Sequence, residues 1–340
     1  MRAKGITYDT GFVRGESVSR ERFDPVTVER ELRVIRDDLH CTAVRVTGGD
    51  PERIERAARC ALALGLEVWF SPYPLELTAD EMLALFADCA RRAERLRGLG
   101  GEVVLVTGAE LSLMNKGFLP GDSIDERVAF LLSPDRPAER IAEAGARVNE
   151  FLGRAVAVVR EHFHGRITYA SVPLEQVDWT PFDFLSVDLY RSAEIADVFA
   201  AGVRRLVDQG KPVAITEFGS ATFRGAGDVG ARGLEIVEYG EGHGPLRLNG
   251  EHARDEAGQA AYVRELLEAF DAGGVDTTFV FVFALHDHVH RPDADPREDL
   301  DLASYGIVKV FEDRKGDTYP DLDWEPKEAF GAVAAYHREH

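Results

Sequence analysis

Short apolar runs alternate with longer amphipathic stretches along this chain. Ile6–Tyr8 reads as a β-like run after Gly5, and residues 25–39 follow with apolar positions at helical spacing. Asp24 is placed to cap that helix and Pro25 to occupy its first position, where a missing N–H costs nothing. The β-branched run Thr42–Val46 comes next, then a second helix from Pro51 to about Leu64, with Asp50 as its cap and Gly65 as its stop. The same alternation predicts strands at Leu66–Ser71, Val103–Thr107, Arg166–Ala170, Phe184–Leu189, Pro212–Thr216 and Thr277–Ala284. It predicts helices over 78–97, 137–162, 193–209, 255–272 and 326–337. The connection 170–183 is the exception: it carries Pro173 and Pro181 and no helical pattern.

Eight strand candidates separated mostly by helices imply parallel strands joined by right-handed crossovers. The expected fold class is therefore α/β, a single (β/α)8 TIM barrel spanning residues 1–340. A doubly wound open sheet is the competing architecture. It usually carries a Gly-rich phosphate turn after its first strand, and no such turn follows Ile6–Tyr8. Two segments exceed the repeat: 111–136 after the fourth strand, and 219–252 after the seventh, the latter with nine glycines. Both are expected as loop insertions on the C-terminal face, where barrel active sites are built.

Composition narrows the function classes. With 340 residues, 45 % hydrophobic and 29 % charged, the chain can bury a large core, which excludes a disordered or coiled-coil protein. A net charge of −20 repels phosphate backbones, so neither nucleic acid nor membrane is expected as a partner. It suits a neutral or cationic small-molecule substrate. Cys41, Cys60 and Cys89 have no CxxC spacing, which argues for reduced thiols in a cytoplasmic protein rather than a disulfide framework or zinc ribbon. The start, MRAKGITYDTGF, has no signal-like apolar segment, and the longest apolar run, Phe279–Leu285, is too short to span a bilayer.

Polar residues gather at the predicted strand ends: Asp9 and Thr10, Arg45, Glu110, Ser171, Asp188 and Tyr190, Glu217, and the run His286-Asp287-His288-Val289-His290. Most carboxylates in such places are solvated or cap a helix. Glu217 follows a mostly apolar run and precedes Phe218 and Gly219, so its side chain is expected inside the barrel mouth, where a buried acid needs a partner or a task. Glu110 and Glu217 come from strands four and seven, three steps apart around the ring, and can face each other. Two opposed carboxyl groups are the machinery of glycosidic cleavage, and their proximity keeps one of them protonated.

The chain resembles the large clan of retaining (β/α)8 glycoside hydrolases. The segment CTAVRVTGGDPERIERAARCALALGLEVWF is similar to that clan's second and third units, with Arg45 at the site-lining arginine. VAITEFGS resembles its nucleophile strand, and SYGIVKVF with WEPKEAFGAVAAY resembles its final unit. The resemblance implies Glu217 as nucleophile, Glu110 as acid/base, and Tyr190 as a hydrogen-bond donor to the nucleophile. The expected function is retaining cleavage of a small glycoside or related polyhydroxylated metabolite, without a cofactor. Two departures stand out. Ala109 occupies the place of the clan's asparagine, and the eighth strand, FVFVFALHDH, offers Phe283 and His286 where the clan has tryptophan. They motivate an alternative, non-hydrolytic acid/base chemistry (dehydration, cyclisation or isomerisation) on the same scaffold. A non-catalytic sugar-binding barrel is the third reading.

Arg45, Asp9, Asp188, His286, Trp179 and Tyr73 are the expected substrate-binding residues, with Tyr190 and Phe223 as further aromatic candidates. His286, His288 and His290 alternate along one segment, a pattern that can hold zinc, but their setting in a polar loop favours solvated histidines and no metal. Trp69 is expected in the core and Trp324 under the last helix. The acidic run 293–301 is expected to be a solvated loop.

Overall fold

The computed structural model describes residues 1–133 and 135–340. Eight parallel strands form one sheet: β1 (Ala3–Asp9), β2 (Ala43–Gly48), β3 (Glu67–Pro72), β4 (Val103–Ala109), β5 (Arg166–Ala170), β6 (Leu185–Asp188), β7 (Val213–Phe218) and β8 (Thr277–Val280). Their order is β5, β4, β3, β2, β1, β8, β7, β6. The two ends of that order meet. The Ser171 N–H donates to the Ser186 carbonyl (3.2 Å), and the Ser171 carbonyl accepts from the Asp188 N–H (2.8 Å). The sheet is a nearly closed barrel, as the alternation of elements predicts.

Seven longer helices flank it: α1 (Pro25–Asp37), α2 (Pro51–Ala63), α3 (Ala79–Arg97), α4 (Ala138–Arg160), α5 (Ala196–Val207), α6 (Glu256–Gly273) and α7 (Glu328–Glu339). Their starts follow local chemistry. Asp24 accepts from the Thr27 N–H, Asp50 from the Glu52 N–H, and Thr78 forms a reciprocal capping box with Glu81. The 170–183 connection holds only a 3₁₀ turn, Pro173–Glu175.

Among the element boundaries that differ from the pattern, two are instructive. The helix expected over 193–209 begins as a 3₁₀ turn, Ala193–Ile195, before α5. The eighth strand ends at Val280 rather than Ala284. Beyond it the chain exchanges hydrogen bonds with a later segment: the Ile307 N–H donates to Val282 and the Val308 N–H to Phe283. Hydrophobicity continues through 284, but the ladder partner changes, and an apolar run does not report that change.

The barrel interior is layered. At the N-terminal end the rings of Trp69 and Phe184, and of Trp69 and Phe279, lie with centroids 4.9 Å apart. Ala3, Ala43, Ala109, Ala170 and Ala214 belong to the same cluster. Ala3, Ala43 and Ala214 leave room for the three large rings at that end, while Ala109 and Ala170 close β4 and β5 at the opposite, C-terminal end. Above this plug the inward positions turn polar: Arg45, Ser71, Thr168, Ser186 and Thr216 are all buried. The outward positions, such as Val44, Leu105 and Ile215, pack with Leu32, Phe86 and Phe270 in the strand–helix layer. Trp324 is buried there, edge-on to Phe283 at 5.2 Å, and donates its indole N–H to Glu31 (3.1 Å).

The two long segments carry structure of their own. Residues 111–136 contain helices Leu111–Met114 and Ile124–Leu132. Residues 219–252 contain the 3₁₀ segment Gly230–Ile236 and a ribbon pairing Val237–Tyr239 with Pro245–Leu248. The Tyr305 hydroxyl pins this second segment, accepting from the Gly233 N–H (2.8 Å) and donating to the Gly230 carbonyl (2.7 Å). Arg14, after β1, pairs with Asp125 of the first segment (2.9 Å).

The acidic run 293–301 is solvated over its first part, with Asp293, Asp295 and Glu298 exposed as expected, but its end is not. Asp299 and Asp301 are buried. Arg254 reaches both, at 2.9 and 2.7 Å, and Lys327 reaches Asp301 at 2.8 Å. Their cations come from distant parts of the chain, so nothing in the local pattern marks them. Cys41 and Cys89 are buried, Cys60 is half-buried, and all three are free. No helix among the described residues is long and apolar enough to cross a membrane.

Candidate active site

β7 does not keep strict alternation. Ile215 is opposite Val187 on β6, and Glu217 is opposite Asp188, so β7 has one extra residue there. The same extra residue appears against β8, where Ile215 and Phe218 pair with Thr278 and Val280. Without this bulge, Thr216 would face in and Glu217 out. With it, Phe218 packs outward on Phe270 and the Glu217 carboxylate turns into the mouth. Arg45 holds it there. Its Nη1 donates to Glu217 Oε1 at 2.7 Å and to the Thr216 carbonyl at 3.0 Å, while its Nε donates to Ser71 Oγ at 3.1 Å. The Tyr190 hydroxyl donates to Glu217 Oε2 at 3.3 Å. Gly219 is required next to this acid, because a Cβ there would collide with the Phe281 carbonyl oxygen.

β4 has a bulge of its own. Val106 and Ala109 pair with Thr168 and Ala170, again one residue in excess. Gly108 takes φ +88° within it. Glu110 follows in the left-handed region, φ 45° and ψ 41°, a conformation that costs a non-glycine residue about 1–3 kcal/mol. Three hydrogen bonds fix this turn. The Glu110 N–H donates to the Ala170 carbonyl (2.9 Å), the Leu111 N–H to the Tyr169 hydroxyl (2.8 Å), and the Ser112 N–H to Glu175 Oε1 (2.9 Å). Tyr169 in turn donates to Glu175 Oε2 (2.7 Å). Tyr169 and Glu175 were not singled out in the sequence. An acid two residues after a proline in a β5 loop gives no sign that it will anchor the strand-four turn.

The Glu110 carboxyl is half-buried and meets the Tyr73 hydroxyl at 3.3 Å. Burial, then the negative charges of Asp188 and Glu217, push it well above the usual carboxylate range. Asp188 is likewise pushed well up, by burial first and by Glu217 second, with Arg45 opposing. Tyr73 and Tyr190 are both raised, chiefly by burial, and stay neutral hydroxyl donors. The structure thus brings Arg45, Tyr73, Glu110, Asp188, Tyr190 and Glu217 to one mouth.

The remaining candidates are placed differently. Asp9 is buried and committed: it accepts from the Gly11 N–H (2.6 Å) and from Ser19 Oγ (2.7 Å), and burial lifts it to about 6. His286 is half-buried, and burial pushes its pKa well below the usual histidine value, which keeps it neutral. His288 pairs with Asp287 (2.7 Å) and His290 with Asp299 (2.9 Å). No group of three or more His, Cys, Asp or Glu side chains among the described residues is arranged to hold a metal ion. Trp179 lies edge-on to Phe182 and lines a groove of about 490 Å³ with Leu185, Val187 and Leu206, on the outer face of β6. Phe283 is fully buried behind the barrel wall. The half-buried aromatic at the end of β8 is Phe281, tilted against Tyr305 and clustered with Tyr190 and Phe223. Because the strand breaks after Val280, the run FVFVF does not itself show which of its rings is buried behind the wall and which is half-buried.

No family model and no curated protein matches the sequence. Solved structures do match. A GH113 β-1,4-mannanase superposes with a TM-score of 0.63 at 14 % identity, covering 100 % of both chains. A GH113 β-mannanase from Alicyclobacillus acidocaldarius gives 0.58 at 16 % identity, over 99 % of this chain and 97 % of its own. A family 1 β-glucosidase from Thermotoga maritima gives 0.57 at 12 % identity, over 99 % and 97 %. At these identities the likeness is one of fold: this chain has the (β/α)8 barrel of glycoside hydrolase structures.

Proposed function

We propose that this protein is a glycosidase-type hydrolase that cleaves a small glycoside with retention, using Glu217 as nucleophile and Glu110 as acid/base. One observation carries the reading: two glutamates, each turned by its own bulge, share a mouth in unlike electrostatic settings. Glu217 faces a guanidinium at 2.7 Å, the setting of an anionic nucleophile. Glu110 sits beside negative charges that favour its protonated form, the setting of a general acid. In the first step Glu110 protonates the leaving oxygen while a Glu217 oxygen attacks the anomeric carbon and forms a glycosyl ester. In the second step the Glu110 carboxylate takes a proton from water, which attacks the same carbon and frees Glu217. Tyr190 holds the attacking carboxylate in place.

A second reading, non-hydrolytic acid/base chemistry on a small metabolite, draws on Ala109. It is fully buried in the barrel lining and offers no hydrogen bond beside the acid. The experiment that separates the two is covalent trapping. The neighbours named as mannanase and β-glucosidase direct the first panel to β-mannosides and β-glucosides. Incubation with their 2-deoxy-2-fluoro derivatives carrying a good leaving group should add one glycosyl mass to the peptide holding Glu217. Absence of label, together with no turnover across a broad glycoside panel, would remove the hydrolytic reading and favour the second.

A further inference from the structure

Glu110 and Glu217 stand at the ends of β4 and β7, so the line between them divides the ring of strands in two. β5 and β6 lie on one side of it, and β3, β2, β1 and β8 on the other. A glycan held between the two acids crosses from one side to the other. The two sides are built differently.

On the longer side the loops meet one another. A hairpin after β1 pairs Val13 with Val18 and Arg14 with Ser17, and Asp9 fastens its base through Gly11 and Ser19. Phe12 lies edge-on to Tyr73 (5.1 Å), the tyrosine that meets Glu110. Phe12 and Met114, the latter from the segment after β4, both pack against the inward-facing cluster. The hairpin covers the end of β2, where a Cβ on Gly49 would strike Val13. Arg14 pairs with Asp125 (2.9 Å), and Glu76, after β3, accepts from the neighbouring Ile124 N–H (2.6 Å). The tip of the hairpin meets the 237–248 ribbon: a Cβ on Gly15 would contact the His243 ring, and one on Gly244 the Ser17 hydroxyl, both at 3.7 Å. Arg297, from beyond β8, ties that ribbon down through Glu238 and the Leu248 carbonyl, each at 2.9 Å. These contacts make a continuous wall from β4 through β1 to β7. On the shorter side, the β5–β6 connection holds one 3₁₀ turn with Trp179 on the outer face, and residues 189–192 lead straight into the next turn.

Retention decides which half of a substrate takes which side. The leaving group must depart, and water must then reach the anomeric carbon by the same route, while the glycone stays esterified to Glu217. The open side therefore belongs to the leaving group and the walled side to the glycone.

From this arrangement we infer that the glycone site ends at the Val13–Val18 hairpin, so that the protein releases one terminal sugar and does not cut within a chain. The inference rests on the glycosidase reading, since it names the substrate class of that same mouth. Its test uses 2,4-dinitrophenyl 2-deoxy-2-fluoro-β-mannoside and -glucoside, each against the reagent carrying a second β-1,4-linked sugar on its glycone. The single-ring reagents should label Glu217 about 100-fold faster or more, and replacing residues 13–18 by two glycines should bring the two-ring reagents within about tenfold. A two-ring reagent that labels the wild type as fast as its single-ring parent overturns the inference, whether or not the shortened variant folds. A second measurement needs no turnover. The double variant Ser17→Cys/Gly244→Cys should form a disulfide under mild oxidation, read by mass, and failure to cross-link overturns the wall itself. A cross-link formed with no label from any reagent removes the glycosidase reading, and with it the one-sugar limit, while the wall stands.

Discussion

The two glutamates of the mouth arrive by the same device and end in opposite circumstances. Each lies at the end of a bulged strand, and each faces a tyrosine hydroxyl at 3.3 Å. At Glu217 the backbone is extended within β7, and Arg45 is tied both to the carboxylate and to the bulge carbonyl. At Glu110 the backbone is left-handed, no cation touches the carboxyl among the described residues, and the turn is held by Tyr169 and Glu175 instead. The roles proposed for these two identical side chains follow from what surrounds them. An arginine bound to both carboxylate and backbone makes a fixed anion, and a strained turn among negative charges makes a proton carrier.

The widest separation between the two should be kinetic. Glu217→Gln removes the attacking oxygen and should lower turnover by on the order of 10⁴-fold or more, for good and poor leaving groups alike. Glu110→Gln should lower it by about 10²–10⁴-fold for alkyl glycosides and far less for aryl glycosides whose leaving group needs no proton. The pH dependence follows from sign. As the proposed acid, Glu110 must be protonated to act, and its pKa lies above the ordinary carboxylate range, so activity should hold below that value and fall as pH rises through it. Steady-state pH profiles should show that alkaline limb in the wild type and lose it in Glu110→Gln. Equal losses for every leaving group in both variants would erase the distinction drawn here.

The same contrast explains what the sequence made legible. Strand and helix order was readable because apolar periodicity and caps such as Asp24, Asp50 and Thr78 are local signals. The change from Ala43 and Trp69 to Arg45 and Ser71 along β2 and β3 likewise marks where the plug stops and the mouth begins. The bulges were not legible: VAITEF has the composition of an ordinary strand, and only pairing with both neighbours reveals the extra residue. Pairings across long sequence distances were equally hidden, including Arg45 with Glu217, Glu175 with Ser112 and Arg254 with Asp301. Trp179 was misjudged for a related reason. A residue in a β5–β6 connection has the same local sequence whether that connection folds over the mouth or down the outer wall.

Stability measurements sharpen the comparison further. Removing one partner of a buried ion pair strands the other charge, so Glu217→Leu, which leaves Arg45 buried without its carboxylate, should destabilise the fold by about 3–5 kcal/mol in denaturant titrations. Glu110→Gly should move the other way. Glycine takes the left-handed turn freely, a relief of about 1–3 kcal/mol that exceeds the roughly 0.5–1 kcal/mol of extra chain entropy it brings to the unfolded state. The net gain is about 1 kcal/mol where carboxyls are protonated in both states, near pH 3–4, and it should grow toward neutral pH. The folded wild type either keeps a proton that the unfolded chain has released or carries a charge beside Asp188 and Glu217, and both are penalties that rise with pH for a carboxyl of raised pKa. A variant that loses turnover while gaining stability, by a margin that widens from pH 4 to pH 7, would mark Glu110 as a residue held against its own conformational preference. A gain that is absent or flat with pH would mean that the Tyr169–Glu175 anchor, and not the carboxyl, governs that turn.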